Sequence, residues 1–149
     1  MRLLYGQDTI ISRWVMERIK DMPQAGFGPC TAIGVINGRN EPLAGVVYHD
    51  YQPEFSTMQV SMAAISPRWA MRGIIRELLS YPFDQVQVNK LWAALPHTNE
   101  RAIRFIRGLG FTQEAVLGRH FGKTHAVICR LYKEDYYGKK VNSISSPRS

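Results

Sequence analysis

The sequence has few of the features that mark membrane-spanning, secreted or metal-binding proteins. It has no run of about 18 apolar residues, so no transmembrane helix and no membrane partner are expected. Asp8 follows the N-terminus too closely to leave room for the apolar region of a secretory signal, which predicts a cytoplasmic protein. Two cysteines, Cys30 and Cys129, and four scattered histidines form no metal-ligand spacing, so no metal site is predicted.

Acidic residues are scarce relative to basic ones. The 149 residues include 12 Asp and Glu against 19 Lys and Arg, a formal net charge of +7. An excess of this kind suits a polyanionic partner, such as a nucleic acid or the phosphates of coenzyme A, and it also fits an ordinary solvated basic surface. Since no nucleic-acid-binding motif accompanies the charge, a nucleic acid is not the expected partner.

Hydrophobic periodicity predicts one α+β domain over residues 1–137 and a disordered basic tail over residues 138–149. The expected order is strand, helix, three strands, helix, strand, helix and two strands. This order predicts a mixed, mostly antiparallel central sheet of about six to seven strands with three to four helices. The first helix is expected to continue to about Lys20, and Thr98 is expected to cap the third. The predicted strands are residues 1–5, 31–36, 43–51, 57–66, 91–95, 111–117 and 125–131.

A loop that leads into a helix, residues 65–75, is the first candidate for chemistry. The first N–H groups of a helix have no partner within it, and the positive end of the helix dipole attracts anions. Gly73 lets the backbone approach a ligand closely, while Arg68, Arg72 and Arg76 add positive charge. The segment fits a pyrophosphate site, and it equally fits an ordinary helix start with surface arginines.

A second candidate segment runs from Asn99 to Phe111. Its apolar stripe indicates a helix packed on a sheet, and its three arginines either form a solvated face or reach the phosphates of a coenzyme. These arginines are Arg101, Arg104 and Arg107.

At this segment the chain resembles a known family. Asn99-x-x-Ala102 followed by Leu109-Gly110-Phe111 resembles the N-x-x-A … L-G-F signature of the GNAT N-acetyltransferase superfamily. Residues 65–75 are similar, without gaps, to that family's phosphate loop. Residues 114–119 resemble a strand of the branch that acetylates the N-termini of ribosomal proteins.

The resemblance implies a GNAT-like fold, with acetyl-CoA as the acyl-donor cosubstrate between two splayed parallel strands. It assigns the acetyl-CoA contacts to Ala64, Ile65, Met71, Arg72, Gly73, Ile74, Ile75, Asn99 and Arg104. Three positions depart from the family pattern. Ala70 replaces an Arg or Gln, Ile75 replaces a small residue, and Ile106 replaces the tyrosine that protonates the leaving thiolate.

Candidate catalytic groups follow from position and chemistry. His97 lies after the fifth strand, beside the expected cleft, and a neutral imidazole can accept a proton from the attacking amine. Glu54 is the second predicted catalytic residue, and His49 and Asp50 are alternatives on the acceptor side. Tyr81 and Tyr132 are candidates for the missing acid.

The predicted function is therefore transfer of an acetyl group from acetyl-CoA to a primary amine by direct attack. The acceptor is left open between a protein N-terminus and a small molecule, and a homodimer is left open as the assembly. The alternative is a catalytically silent GNAT-like module that binds a protein or a nucleic acid. The departures at Ile75 and Ile106 motivate this alternative.

Overall fold

A seven-stranded sheet forms the centre of the fold. The structure is a computed structural model, which describes residues 1–20 and 22–138. The strand order is β1-β2-β3-β4-β5-β7-β6. All neighbouring strands are antiparallel except β4 and β5, which are parallel. The strands are β1 (Arg2–Leu4), β2 (Cys30–Ile36), β3 (Pro42–Gln52), β4 (Thr57–Ala64), β5 (Lys90–Pro96), β6 (Thr112–Phe121) and β7 (Thr124–Tyr132). The predicted α+β class and mixed sheet are confirmed.

Helical segments lie on both faces of the sheet. They are α1 (Asp8–Met16), a 3₁₀ turn (Pro67–Trp69), α2 (Arg72–Ser80), a π-helical segment (Tyr81–Val86), α3 (Glu100–Gly108) and a last helical segment over residues 133–138. On one face, α1 packs with Ile11 and Val15 against Ala32 and Val47. On the other face, the remaining segments share one core with the sheet through Trp69, Leu78, Phe83, Ile106 and Tyr136.

Two close approaches explain why α1 lies flat on β2 and β3. A Cβ on Gly34 would come within 2.7 Å of the Ile11 side chain, and one on Gly45 within 2.6 Å of Val15. Real Cβ atoms do not approach this closely, so both positions need glycine for the helix to pack as it does.

Two predictions at helix ends were wrong, and the sixth strand, predicted to end at residue 117, continues to Phe121. The first helix ends at Met16 rather than near Lys20, because the Arg18 N–H turns to the Val15 carbonyl, three residues back, and tightens the last turn. The cap of α3 is Asn99, not Thr98, since the Asn99 Oδ1 accepts the N–H of Ala102 at 3.2 Å.

Other expectations concern the chain ends and membrane spans. The predicted tail, residues 138–149, lies outside the described residues except for Gly138, the last described residue of the last helical segment. Among the helices described, none has the length and apolar character to cross a bilayer.

Candidate active site

The two parallel strands stay together for only three residue pairs. Thr57 pairs with Lys90, Met58 with Leu91 and Gln59 with Trp92. Beyond this last pair β4 and β5 separate, and the gap is defined here as the space between residues 60–64 of β4 and residues 93–96 of β5. Its mouth lies where β4 leads into the 3₁₀ turn and α2.

Backbone groups line both edges of the gap. The Ile65 N–H bonds to the Leu43 carbonyl of β3 at 3.0 Å, so the alternate residues of β4 face β3 and the intervening Met62 and Ala64 face the gap. On β5, the His97 N–H bonds to the His125 carbonyl at 2.9 Å, which by the same alternation turns the polar groups of Ala94 toward the gap. Backbone N–H and C=O groups need partners, so an extended ligand arm can bond to both edges. Of the two β4 residues predicted to pair with the pantetheine arm, Ala64 has this orientation and Ile65 does not.

The N-terminus of α2 lies at the mouth of the gap. Its cap residue, Met71, makes no side-chain hydrogen bond to the helix, and the first turn contains no acidic residue. Arg68, Arg72 and Gly73 are exposed there, and a Cβ placed on Gly73 meets no atom within 4 Å. The predicted pyrophosphate residues thus form an open, positively charged helix end, which fits an anion.

The helix end and α3 are held together across the mouth by aromatic packing. Trp69 is buried, and its ring lies 5.6 Å from that of Phe105. A small apolar cavity of about 20 Å³ lies beneath, too small for more than a water molecule. It is lined in part by Val60, Met62, Trp69, Ile75, Leu91 and Phe111. The Ile75 side chain, which departs from the family pattern, therefore belongs to the core beneath the loop. Any ligand arm would have to use the gap itself.

The other predicted contacts lie on α3. Asn99 uses its carbonyl oxygen as the helix cap, and Arg104 is exposed beside a surface hollow that Arg107 also lines. The Asn-x-x-Ala spacing has a physical basis here, because the Asn99 side chain caps α3 by accepting the backbone N–H of Ala102, three residues later.

The predicted catalytic residues are not brought together. Glu54 lies in the turn before β4, whereas the gap opens at the other end of that strand, roughly 23 Å away along eight extended residues. Glu54 as a catalytic residue on the acceptor side stays a prediction. His97 lies at the far end of β5, exposed, with its backbone bonded to β7.

The His97 ring is engaged by the chain. Its Nδ1 accepts the N–H of His125 at 3.0 Å, and the two imidazole rings lie 4.9 Å apart. The same Nδ1 also lies 3.3 Å from the His125 carbonyl oxygen, so this nitrogen faces the β7 backbone and Nε2 is the atom left to meet an amine. His97 as the general base therefore stays a prediction.

His49 is the imidazole that strand pairing places beside β4 at the closed end of the gap. It lies on β3, opposite Gln59 of β4, and its Nε2 is 2.9 Å from the Ser61 Oγ. The ring of Phe27 packs 4.8 Å away. Burial lowers the pKa of His49, an effect that the neighbouring Asp50 partly offsets, so the imidazole is neutral at pH 7. Sequence spacing ranked His49 low because its partner Ser61 lies 12 residues on and only strand pairing joins them.

The candidate acids do not reach the gap. The Tyr81 hydroxyl donates to Thr31 Oγ1 of β2 at 3.0 Å, and Tyr132 pairs with Lys90 at the closed end of β5. Ile106, at the position of the family's tyrosine, is buried. Within residues 1–20 and 22–138, no three His, Cys, Asp or Glu side chains gather as a metal site would require.

Comparison with known proteins identifies the fold of the chain through solved structures, not through sequence. No family model and no curated protein sequence matches the chain. Among solved structures, spermidine/spermine N-acetyltransferase SpeG from Vibrio cholerae in complex with manganese ions superposes with a TM-score of 0.70 at 12% identity. That match covers 93% of this chain and 95% of that one. The dodecameric structure of spermidine N-acetyltransferase from Vibrio cholerae in an intermediate state gives a TM-score of 0.63 at 14% identity, over 75% of this chain and 70% of that one. Identities this low establish architecture alone: the chain has the GNAT fold of these acetyltransferases, and membership of the ribosomal-protein branch stays a prediction.

Proposed function

We propose that the protein is an N-acetyltransferase that uses acetyl-CoA and a primary amine. The observation that carries the proposal is the gap, where two parallel strands part after three pairs and leave Met62, Ala64 and Ala94 with polar backbone groups facing each other. A chain that needed only stability would pair these edges or cover them.

The residues at the gap suit the phosphates and the arm of coenzyme A. The uncapped end of α2, with Gly73 and exposed arginines, would hold the pyrophosphate. Ile65 and Met71, with 60% and 57% of their surfaces exposed, give the mouth an apolar rim for the arm. When bound, acetyl-CoA supplies an activated thioester that an amine can attack directly.

His49 and Ser61 are proposed to take the proton of the amine. Ser61 lies on β4 immediately before Met62, so its hydroxyl can accept a proton and pass its own to the neutral His49. The Met62 N–H, which faces the gap, would stabilise negative charge on the acetyl oxygen. The new bond joins the amine nitrogen to the acetyl carbon, the C–S bond breaks, and the thiolate takes a proton from water.

The test compares three histidine variants of the full chain by release of free coenzyme A with a panel of primary amines. A general base contributes about 10²–10⁴-fold, so His49→Gln should lower kcat by at least about 100-fold and leave acetyl-CoA affinity unchanged. The exposed His120→Gln is the matched control and should behave as the parent. If His97→Ala loses turnover and His49→Gln does not, the predicted His97 is the base.

The pH profile gives an independent check on His49. Burial lowers the pKa of this imidazole from 6.5, so it stays neutral, and able to accept a proton, to a lower pH than a solvated histidine. Activity should therefore be retained at pH 6.5 and fall only at more acidic pH. This acid limb should be absent from the residual activity of His49→Gln.

The alternative of a silent module keeps one supporting observation. Ile106 is buried where the family places its tyrosine, and neither Tyr81 nor Tyr132 lies at the gap. Acetyl-CoA binding without turnover on any amine would favour that alternative. If the protein neither bound acetyl-CoA nor acetylated an amine, the gap would be neither an active site nor an acetyl-CoA site of a silent module.

A further inference from the structure

The sheet has two edge strands, β1 and β6, that differ in length and in burial. β1 has three residues, of which Leu3 is buried, whereas β6 has ten residues. Within the described chain none of these ten residues is buried, and the apolar Val116 and Leu117 are 54% and 41% exposed. Natural proteins avoid a long, exposed edge with apolar side chains unless another strand adds to it.

Strand pairing decides which backbone groups of β6 are free. The His125 carbonyl of β7 accepts the His97 N–H at 2.9 Å, so by alternation the polar groups of the next residue, Ala126, face β6. Leu117 pairs with Ala126 and therefore bonds to β7. The N–H and C=O of the preceding residue, Val116, point away from β7 toward the free edge.

The regular part of β6 is bounded by an irregularity at each end. The register with β7 shifts within residues 113–115 and again within residues 117–121. Such irregularities bend a strand and end its pairing with a neighbour. The stretch between them, residues 115–117, is regular, has Val116 at its centre and reads Ala-Val-Leu, without a charge or a proline that would keep a second strand away.

We propose that β6 pairs in antiparallel fashion with β6 of a second copy of this chain, across a twofold axis at Val116. An interface across a twofold axis uses the same patch on both copies, and a stretch that is centred on one outward-facing residue meets this condition. Val116 exchanges both backbone hydrogen bonds with its counterpart, and Ala115 of each copy lies opposite Leu117 of the other. An axis between Val116 and Leu117 is excluded, because it would set an outward-facing residue against an inward-facing one.

The charges beside the stretch favour a second copy in this orientation. Glu114 precedes the stretch and Arg119 follows it, and both are exposed. Antiparallel pairing brings Glu114 of each copy near Arg119 of the other, whereas parallel pairing would set like charges side by side. Since Glu114 also bonds to Lys90 of its own chain at 2.9 Å, these charges select the orientation more than they add affinity.

The expected association is reversible. A single pair of strands with a few apolar side chains buries less than the roughly 800 Å² per partner of a stable complex. We therefore expect a monomer–dimer equilibrium with a dissociation constant on the order of micromolar. The experiment is sedimentation of the full chain from about 1 to about 300 µM, a range that spans this equilibrium.

A charge at the axis tests the location of the contact. Val116→Lys places two like charges opposite each other and should raise the dimer dissociation constant by at least about 100-fold. Ile10→Lys, at a 63% exposed position on α1, is the matched control and should associate as the parent does. A parent that stays monomeric would leave this edge to a strand of another protein and overturn the proposal. A dimer that survives Val116→Lys would overturn it as well.

A proline variant separates association from folding. Because the Val116 N–H points away from β7, Val116→Pro removes no hydrogen bond within the chain and should keep Tm near that of the parent while association is lost. A large drop in Tm would show that this N–H is bonded within the chain, which contradicts the proposed orientation. Unchanged association would contradict it too.

Hydrogen exchange tests the same contact without a variant. The Val116 amide should exchange rapidly at about 1 µM, where it faces solvent, and become protected at about 300 µM, where it bonds to the second copy. The Leu117 amide, which bonds to β7 within the chain, should be equally protected at both concentrations. Exchange at Val116 that does not depend on protein concentration would overturn the proposal.

Discussion

The two helices that begin at the mouth of the gap start in opposite ways. The N-terminus of α3 has an asparagine cap, with Asn99 accepting the Ala102 N–H, and an acidic residue, Glu100, in its first turn. The N-terminus of α2 begins at Met71 with no side-chain cap and no acidic residue in its first turn. The sequence supplies the stabilising pattern at one helix and omits it at the other.

The difference indicates what each helix end is for. A capped, acid-bearing end has its donors and its dipole satisfied within the chain. An uncapped end with exposed arginines retains both for a ligand. We therefore attribute anion binding to α2 and a structural role to the start of α3.

The largest expected effect is at Gly73. Gly73→Asp places a carboxylate in the first turn of α2, where it repels a pyrophosphate and occupies the helix end, and acetyl-CoA affinity should fall by at least about 100-fold. The fold should not suffer, because a Cβ there meets nothing within 4 Å and an acidic residue suits a helix start. Calorimetric titration and a thermal melt measure the two quantities.

Gly38→Asp is the matched control for this substitution. Gly38 lies in the turn between β2 and β3, also with no atom within 4 Å of an added Cβ. The Gly38→Asp variant should bind acetyl-CoA as the parent does. If Gly73→Asp also kept the parent's affinity for acetyl-CoA, the N-terminus of α2 would not be the pyrophosphate site.

A smaller effect is expected at the capped end. Asn99→Ala should cost about 1 kcal/mol of unfolding free energy through the lost cap, which lowers Tm by about 2–4 °C. Thr98→Ala tests the neighbouring position, which the sequence favoured wrongly, and should leave Tm unchanged. If Asn99→Ala also weakens acetyl-CoA binding strongly, the two helix ends share the ligand and the contrast between them fails.

The smallest effect is expected from supplying α2 with the cap that it lacks. Met71 has extended backbone angles, φ −82° and ψ 148°, which suit a capping serine. Met71→Ser should be more stable than Met71→Ala by about 0.5–1 kcal/mol and should bind acetyl-CoA more weakly, because one donor is then occupied. Chemical denaturation and titration of this pair separate the cap from the loss of the methionine. Equal affinity in the two variants would mean that these donors face no ligand.

Much of the fold was predictable from local signals. Alternation along β4, the Asn37-Gly38 turn and the helical stripe around Ile106 each specify an element from neighbouring residues. The boundaries that failed, near Lys20 and Thr98, depend on which carbonyl or side chain wins a hydrogen bond within one turn. A sequence pattern does not resolve that competition.

The candidate site was less predictable because strand pairing creates it. Gly73 and Asn99 carry local signals and were assigned from the sequence. His49 and Ser61 belong together only through the pairing of β3 with β4, which leaves no motif spacing to recognise along the chain. Glu54 illustrates the converse, because this residue, close to Ala64 in sequence, lies at the other end of the strand.

The three pairs that join β4 to β5 also bear on how the domain unfolds. Antiparallel pairing joins β1, β2, β3 and β4 into one block and β5, β7 and β6 into a second. The two blocks are linked only by the short parallel pairing of β4 with β5. Native proteins open in cooperative units whose boundaries follow such weak links, so the two blocks should exchange their amide hydrogens with distinct protection. A molecule that hydrogen-bonds to Met62 and Ala94 at once would supply the missing rungs of the ladder. Saturating acetyl-CoA should then merge the two exchange classes into one, so that the ligand completes the central sheet as an eighth strand.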